Sequence, residues 1–191
     1  MTTIAVVRKN GVAAIAADSL TTSGWVKESA EYVVNHHKIM PVGNSYLGLS
    51  GPASARLILE NYFGGADVEA RFDSVGHIFE TWRRLHSALK EAYFLRPIED
   101  DDDDFESSRI SVAIANPYGI FGVSSDRSVQ EYTKFYACGS GYYFAMGAMF
   151  SVYDDPARSA EEIARLGIQA AIEFSRGSAA PILSHSITLN S

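Results

Sequence analysis

Residues 2–19 read TTIAVVRKNGVAAIAADS. Two apolar runs, Thr3 to Arg8 and Val12 to Ala17, flank Lys9-Asn10-Gly11. Asn and Gly both tolerate positive φ, so Asn-Gly between two such runs predicts a tight β-hairpin. The first strand starts directly behind Met1-Thr2, and no basic stretch followed by an apolar one precedes it. The expectation is therefore a chain with no secretory leader, ordered from its first residues.

Working outward, Lys38 to Val42 and Ser45 to Ser50 predict a second hairpin around Gly43-Asn44. Leu20 to Glu31 between the hairpins is polar and reads as a loop. Ala53 to Phe63 reads as a helix with Pro52 in its first turn. Ser74 to Tyr93 reads as a longer one, with Val75, Ile78, Phe79, Trp82, Leu85, Leu89 and Tyr93 on one apolar face. It stops before Pro97, and Ile98 to Ser108 reads as an acidic loop. Ile110 to Ala115, Ile120 to Val123 and Lys134 to Cys138 read as strands, the first two joined by the turn Asn116-Pro117-Tyr118-Gly119. Gly139-Ser140-Gly141 opens a helix running to about Val152. Ser159 and Glu162 form a capping-box pair for a last helix, with Ile163, Leu166, Ala170 and Phe174 on one face. Pro181 to Leu189 closes the chain as a strand. Strands, two helices, strands, two helices and a strand predict an α+β fold in which two antiparallel sheets lie between helical layers. The expectation is one domain over residues 1–191, with no internal repeat.

Composition narrows the function. Of 191 residues, 47% are hydrophobic, which supports a packed core. The formal net charge of −7 argues against a nucleic-acid groove, which needs a basic surface. Asp100 to Asp104 supply five of those charges, and a run of like charges reads as a solvated loop. Cys138 is the one cysteine, so an internal disulfide is excluded and a reducing compartment fits. No apolar run approaches the ~20 residues of a membrane span. A cytoplasmic protein is expected, with neither nucleic acid nor membrane as partner.

Thr2 carries the chemistry. Aminopeptidases remove an initiator Met that precedes a small side chain, and threonine qualifies. The mature chain would then start with a primary α-amine beside its own Oγ. Such an amine has a pKa of ~7.7–8.0, close enough to neutrality to act as general base toward that hydroxyl. Threonine is common behind Met, however, and by itself assigns nothing.

Three segments in order change this. TTIAVVRKNGVAAIAADSLTTSG, HKIMPVGNSYLGLSG and YACGSGYYFAMGAMF together resemble the proteasome β-subunit family. The likeness is to its simple bacterial members in particular, the HslV-type peptidases and related bacterial proteasome homologues. It is strong through Gly51, good over 136–150 and weak after Ala160.

The resemblance implies a four-layer αββα N-terminal-nucleophile hydrolase: a threonine endopeptidase cutting unfolded polypeptides inside a homo-oligomer of stacked rings, without a cofactor. It implies that Thr2 is the nucleophile and that Asp18 and Lys38 match the family's buried acid and its lysine. Gly51 would supply an oxyanion N–H, and Ser140 would match the serine that helps hold the terminal amine. Thr21, Thr22, Leu49 and Ala53 would line the side-chain pocket. Being small or neutral, they favour an apolar or small residue before the cut. An ATP-dependent unfoldase is a further partner that the family implies. Elementary electrostatics fits these roles. A carboxylate ending an apolar strand needs a partner, and Lys38 would serve. Its charge would in turn lower the pKa of the Thr2 amine.

The sequence also departs from the pattern. The stretch from Asp18 to Lys38 is a few residues longer than usual, and His37 precedes Lys38 where a second basic residue is commoner. The family's acid three residues before a serine is missing at Phe174-Ser175-Arg176-Gly177-Ser178, although Ser178 matches the serine. His36-His37 lacks an acidic or thiol partner at metal-binding spacing, so no metal is expected. Tyr142, Tyr143 and Phe144 read as core and subunit contact, and Cys138 as a small buried hydrophobe. Two other readings stay open: a catalytically silent ring subunit, and a small-molecule amidohydrolase with the same nucleophile.

Overall fold

A computed structural model describes residues 2–96 and 105–190. The first hairpin forms as the sequence predicts, from β1 (Thr3–Lys9) and β2 (Val12–Ala17). Asn10 and Gly11 take φ of 51° and 73° between them, the left-handed pair that a two-residue turn requires. After a short hairpin of β3 (Thr21–Ser23) and β4 (Val26–Glu28) come β5 (Ile39–Val42), β6 (Ser45–Ser50), α1 (Ser54–Phe63) and α2 (Val75–Glu91). The second half holds β7 (Ser111–Asn116), β8 (Gly119–Val123), β9 (Val129–Tyr132), β10 (Phe135–Gly139), α3 (Tyr142–Val152), α4 (Ala160–Phe174) and β11 (Leu183–Thr188).

Two antiparallel sheets stack face to face, one of four strands in the order β10-β1-β2-β11 and one of five in the order β5-β6-β7-β8-β9. Side-chain alternation along β1 and β2 builds the layers. Ile4, Val6, Ala13 and Ile15 point into the seam between sheets. Ala5, Val7, Ala14 and Ala16 point the other way, against α3 and α4. Leu47, Leu49, Val112, Ile114 and Phe121 pack on α1 and α2 through Leu59, Ile78, Trp82 and Leu85. The result is the αββα sandwich. Gly48 matters to it: a Cβ there would lie 2.4 Å from Ile4 Cγ2, so only glycine lets the sheets meet at that point.

Several expectations need correction. The stretch Leu20 to Glu31 is not wholly loop, since β3 pairs β4 through Thr21–Glu28, Thr22–Lys27 and Ser23–Val26. Strand β9 was not foreseen; it is an edge strand whose Gln130 and Glu131 are exposed, which hides the apolar signal. Pro52 stands before the helix rather than in its first turn, because Ala53 is the N-cap of α1. On α2, Val75 and Phe79 are exposed, while Thr81 and His86 complete the buried face. On α4 the buried face is Ala160, Ile163, Ala164, Gly167, Ile168 and Ala171, and Phe174 is exposed. Small residues mark that face because the helix lies close to its neighbours: a Cβ on Gly167 would meet Met149 Cγ at 2.9 Å. Tyr143 and Phe144 are exposed rather than core. The capping box of α4 is present in both directions, Ser159 with Glu162. Met1 and the acidic run Asp100 to Asp104 lie outside the described residues. Among the described residues no helix is long and apolar enough to cross a membrane.

Candidate active site

The β1–β10 pairing sets the position of Thr2. Thr3 lies opposite Gly139, and the Ser140 N–H donates to the Thr2 carbonyl at 2.7 Å. The Ser140 hydroxyl donates to the same oxygen at 3.3 Å. The resemblance implies that Ser140 helps hold the terminal amine; these two bonds run to the carbonyl of the same residue. Gly139 takes φ of +95°, and a Cβ on it would lie 2.1 Å from that oxygen, so no other residue fits. Thr2 is buried, at 6% exposure.

Asp18 follows directly on β2 and is fully buried. Its Oδ1 accepts from the Thr3 N–H and from Lys38 Nζ, both at 2.8 Å. Its Oδ2 accepts from the Leu20 N–H at 3.0 Å and the Ala179 N–H at 3.1 Å. Four donors to one carboxylate offset the cost of burying its charge. Lys38 is nearly as enclosed, its side chain 10% exposed. Burial pulls its pKa below the ordinary lysine value, opposed by the charge and hydrogen bond of Asp18.

Thr2, Lys38 and Gly51 all line one cleft of about 300 Å³. Thr21, Thr22, Leu49 and Ala53 line it too, so the four expected pocket residues share a wall with the expected nucleophile. Asp18 and Ser140 stand behind this wall rather than in it. Gly51 follows the end of β6, and its glycine has a local cause: a Cβ would lie 2.8 Å from the Arg109 carbonyl oxygen.

Sequence reasoning missed two parts of this region. First, His36 and Arg56 line the cleft as well. Arg56 stands three residues after Ala53 at the start of α1, a spacing that keeps both on one helical face and was the available signal. His36 and His37 precede β5 and line the same cleft, their rings tilted against each other with centroids 4.4 Å apart. Second, Thr3 Oγ1 and Ser178 Oγ are 2.7 Å apart, and the Gly141 N–H donates to Thr3 Oγ1 at 3.1 Å. The alternating pattern of β1 had made Thr3 only a strand residue, whereas it ties the loop after α4 to the start of α3.

Cys138 is buried beside this region, and desolvation pushes its thiol up to about 12. Among the described residues no group of three or more His, Cys, Asp or Glu side chains could hold a metal ion.

The Thiobacillus denitrificans BPH in complex with epoxomicin is similar to this chain at 50% identity, over 100% of both chains, with a TM-score of 0.94. A second structure of Thiobacillus denitrificans BPH gives 51% identity over 99% of both chains and the same TM-score, 0.94. Eukaryotic HslV from Trypanosoma brucei is 17% identical over 98% of this chain and 99% of its own, with a TM-score of 0.71, a likeness of fold alone. No protein-family model and no curated protein matches the chain.

Proposed function

The chain belongs to the proteasome β-type family of N-terminal-nucleophile hydrolases, and on that premise we propose that it is a threonine endopeptidase. Its substrates are unfolded polypeptides, and it works as a homo-oligomer of stacked rings. The observation that carries the reading is the shared cleft of Thr2, Lys38 and Gly51, backed by the buried Lys38–Asp18 pair.

In this reading Met1 is removed and Thr2 becomes the mature terminus. The Thr2 Oγ attacks the scissile carbonyl carbon while its proton passes to the Thr2 α-amine. The ammonium of Lys38 disfavours a second positive charge nearby and so keeps that amine neutral and basic near pH 7. The negative oxygen of the tetrahedral intermediate accepts from the Gly51 N–H, an interaction contributing about 3–4 kcal/mol where single donors of this kind have been removed. Collapse breaks the C–N bond, and the α-amine returns its proton to the leaving amine. Water then attacks the ester on Thr2, with the same amine as base, and releases the acid.

Support for assembly comes from α3, which is apolar on all sides. One face packs in the core through Ala145 and Met149, and the other leaves Tyr143 and Phe150 more than 70% exposed. A helix with no polar face calls for cover on both sides. The 50%-identical relative holds epoxomicin. Incubating the purified chain with epoxomicin and mapping the adduct by peptide mass tests the reading. The expected result is an adduct on Thr2, absent in Thr2→Ala, which also loses peptide hydrolysis but keeps the native mass of the assembly. Hydrolysis retained in Thr2→Ala, or Met1 still present on the mature chain, would overturn it.

A further inference from the structure

The cleft holds an arginine that its small, neutral residues did not suggest. Besides Lys38, which is committed to Asp18, it is lined by Arg56, His36 and His37. Among the described residues that line it there is no carboxylate. The guanidinium of Arg56 is fixed rather than loose: Nε donates to Glu60 at 2.6 Å and Nη1 to the His37 carbonyl at 2.6 Å. These bonds leave the guanidinium's Nη2 donors to be accounted for by a ligand or by water. Glu60 itself does not line the cleft, whereas Arg56 does. His36 Nδ1 donates to the Val33 carbonyl at 2.7 Å, which fixes the ring and leaves Nε2 an acceptor whenever the imidazole is neutral. Burial first, then the neighbouring His36 and Arg56, hold the His37 pKa below the ordinary imidazole value, so His37 adds no charge to the cleft near pH 7. Thr21 and Thr22 add hydroxyls on the same wall, and Leu49 and Ala53 are its apolar part.

We propose that the cleft selects a carboxylate side chain, aspartate or glutamate, in the residue before the cut bond, with Arg56 as the residue that reads it. This replaces the expectation of a small or apolar residue, and it rests on the peptidase reading given above. A short apolar stem fits against Leu49 and Ala53 while the carboxylate accepts from the Arg56 fork. A site built around fixed donors discriminates against an isosteric neutral group, because that group leaves the donors poorly matched. With a protein charge of −7 the attraction is local to the cleft and not a long-range steering field.

The test is a set of fluorogenic peptides, identical except for Glu, Asp, Gln, Leu or Lys before the cut, cleaved by the assembled chain. The expected kcat/KM for Glu and Asp exceeds that for Gln and Leu by about tenfold or more, as a charge-assisted hydrogen bond allows. Arg56→Gln should remove most of the Glu-to-Leu ratio, mainly through KM. Glu60→Gln leaves the fold's core untouched and removes Arg56's competing carboxylate, so it should raise the ratio. That second variant reads the proposal even if Arg56→Gln fails to assemble. Leu or Lys cleaved as well as Glu, or an Arg56→Gln loss equal for all peptides, overturns the selectivity. If epoxomicin still labels Thr2 in that case, only the selectivity falls. No cleavage of any peptide together with an unlabelled Thr2 overturns the peptidase reading, and this inference with it.

Discussion

The carboxylate of Asp18 accepts from Thr3, Leu20, Lys38 and Ala179, groups drawn from four separate stretches of chain. Asp18→Asn keeps the shape but puts an NH2 group among donors and removes the charge that balances Lys38. Breaking a buried pair in this way costs about 3–5 kcal/mol, and urea unfolding should show a loss of that order. Gly139→Ala should fail differently. Its φ of +95° and the 2.1 Å approach to the Thr2 carbonyl give alanine no unstrained place, and strained backbone of this kind costs about 1–3 kcal/mol. The variant is expected to lower the thermal midpoint and to slow epoxomicin labelling of Thr2; labelling at the parental rate would show that Thr2 is held without the Gly139 turn. Cys138, its thiol held near 12, should resist iodoacetamide at pH 8 until the chain is unfolded. At this scale the order of the motifs sufficed to pick out Thr2, Lys38 and Gly51, which share one cleft, and Asp18 behind it. His36 and Arg56 were not legible, since a histidine pair and a helix-surface arginine look like solvated residues until the loop before β5 folds over α1.

Elements were legible where both faces of a segment agree. β1, β2, β6 and β7 are buried nearly throughout and stand out as apolar runs. β3, β4 and β9 are short and half exposed, and polarity disguised them. Helix faces were misassigned for a related reason. Large side chains were taken as the buried ones, but α4 lies so close to its sheet that alanine and glycine occupy the contact. The first turn of α4 also carries a pH-dependent latch. Glu161 accepts from Ser184 Oγ at 2.7 Å and Ser186 Oγ at 2.9 Å, joining the helix to β11. Those two hydrogen bonds lower its pKa below the ordinary glutamate value. A carboxylate with a depressed folded pKa contributes stability that is present above the unfolded pKa and lost as pH falls through the folded one. Ser184→Ala should therefore reduce stability at neutral pH and flatten its acid dependence below about pH 4.5. An unchanged stability–pH curve would show that the latch carries no weight.

For the whole molecule, the layered plan was legible from element order, but the outer faces were not. Tyr143 at 72%, Phe150 at 77% and Phe174 at 68% exposure lie on the α3–α4 layer; Tyr143 had been read as core and subunit contact and Phe174 as part of the apolar face of α4. Under the proposed assembly these rings are covered by other copies. Each aromatic side chain so buried would contribute about 1.5–3 kcal/mol. Tyr143→Glu with Phe150→Glu should shift native mass to smaller species while far-ultraviolet dichroism stays the same; an unaltered native mass would place the contact elsewhere. Finally, the knot of hydrogen bonds at Asp18 and Thr3 joins the first hairpin to the loop after α4, through Ala179 and Ser178. During synthesis the hairpin emerges long before those partners exist. Until residues 178 and 179 have been made, Asp18 lacks the Ala179 N–H and Thr3 Oγ1 lacks the Ser178 hydroxyl, so the strand that follows Thr2 is secured only after them.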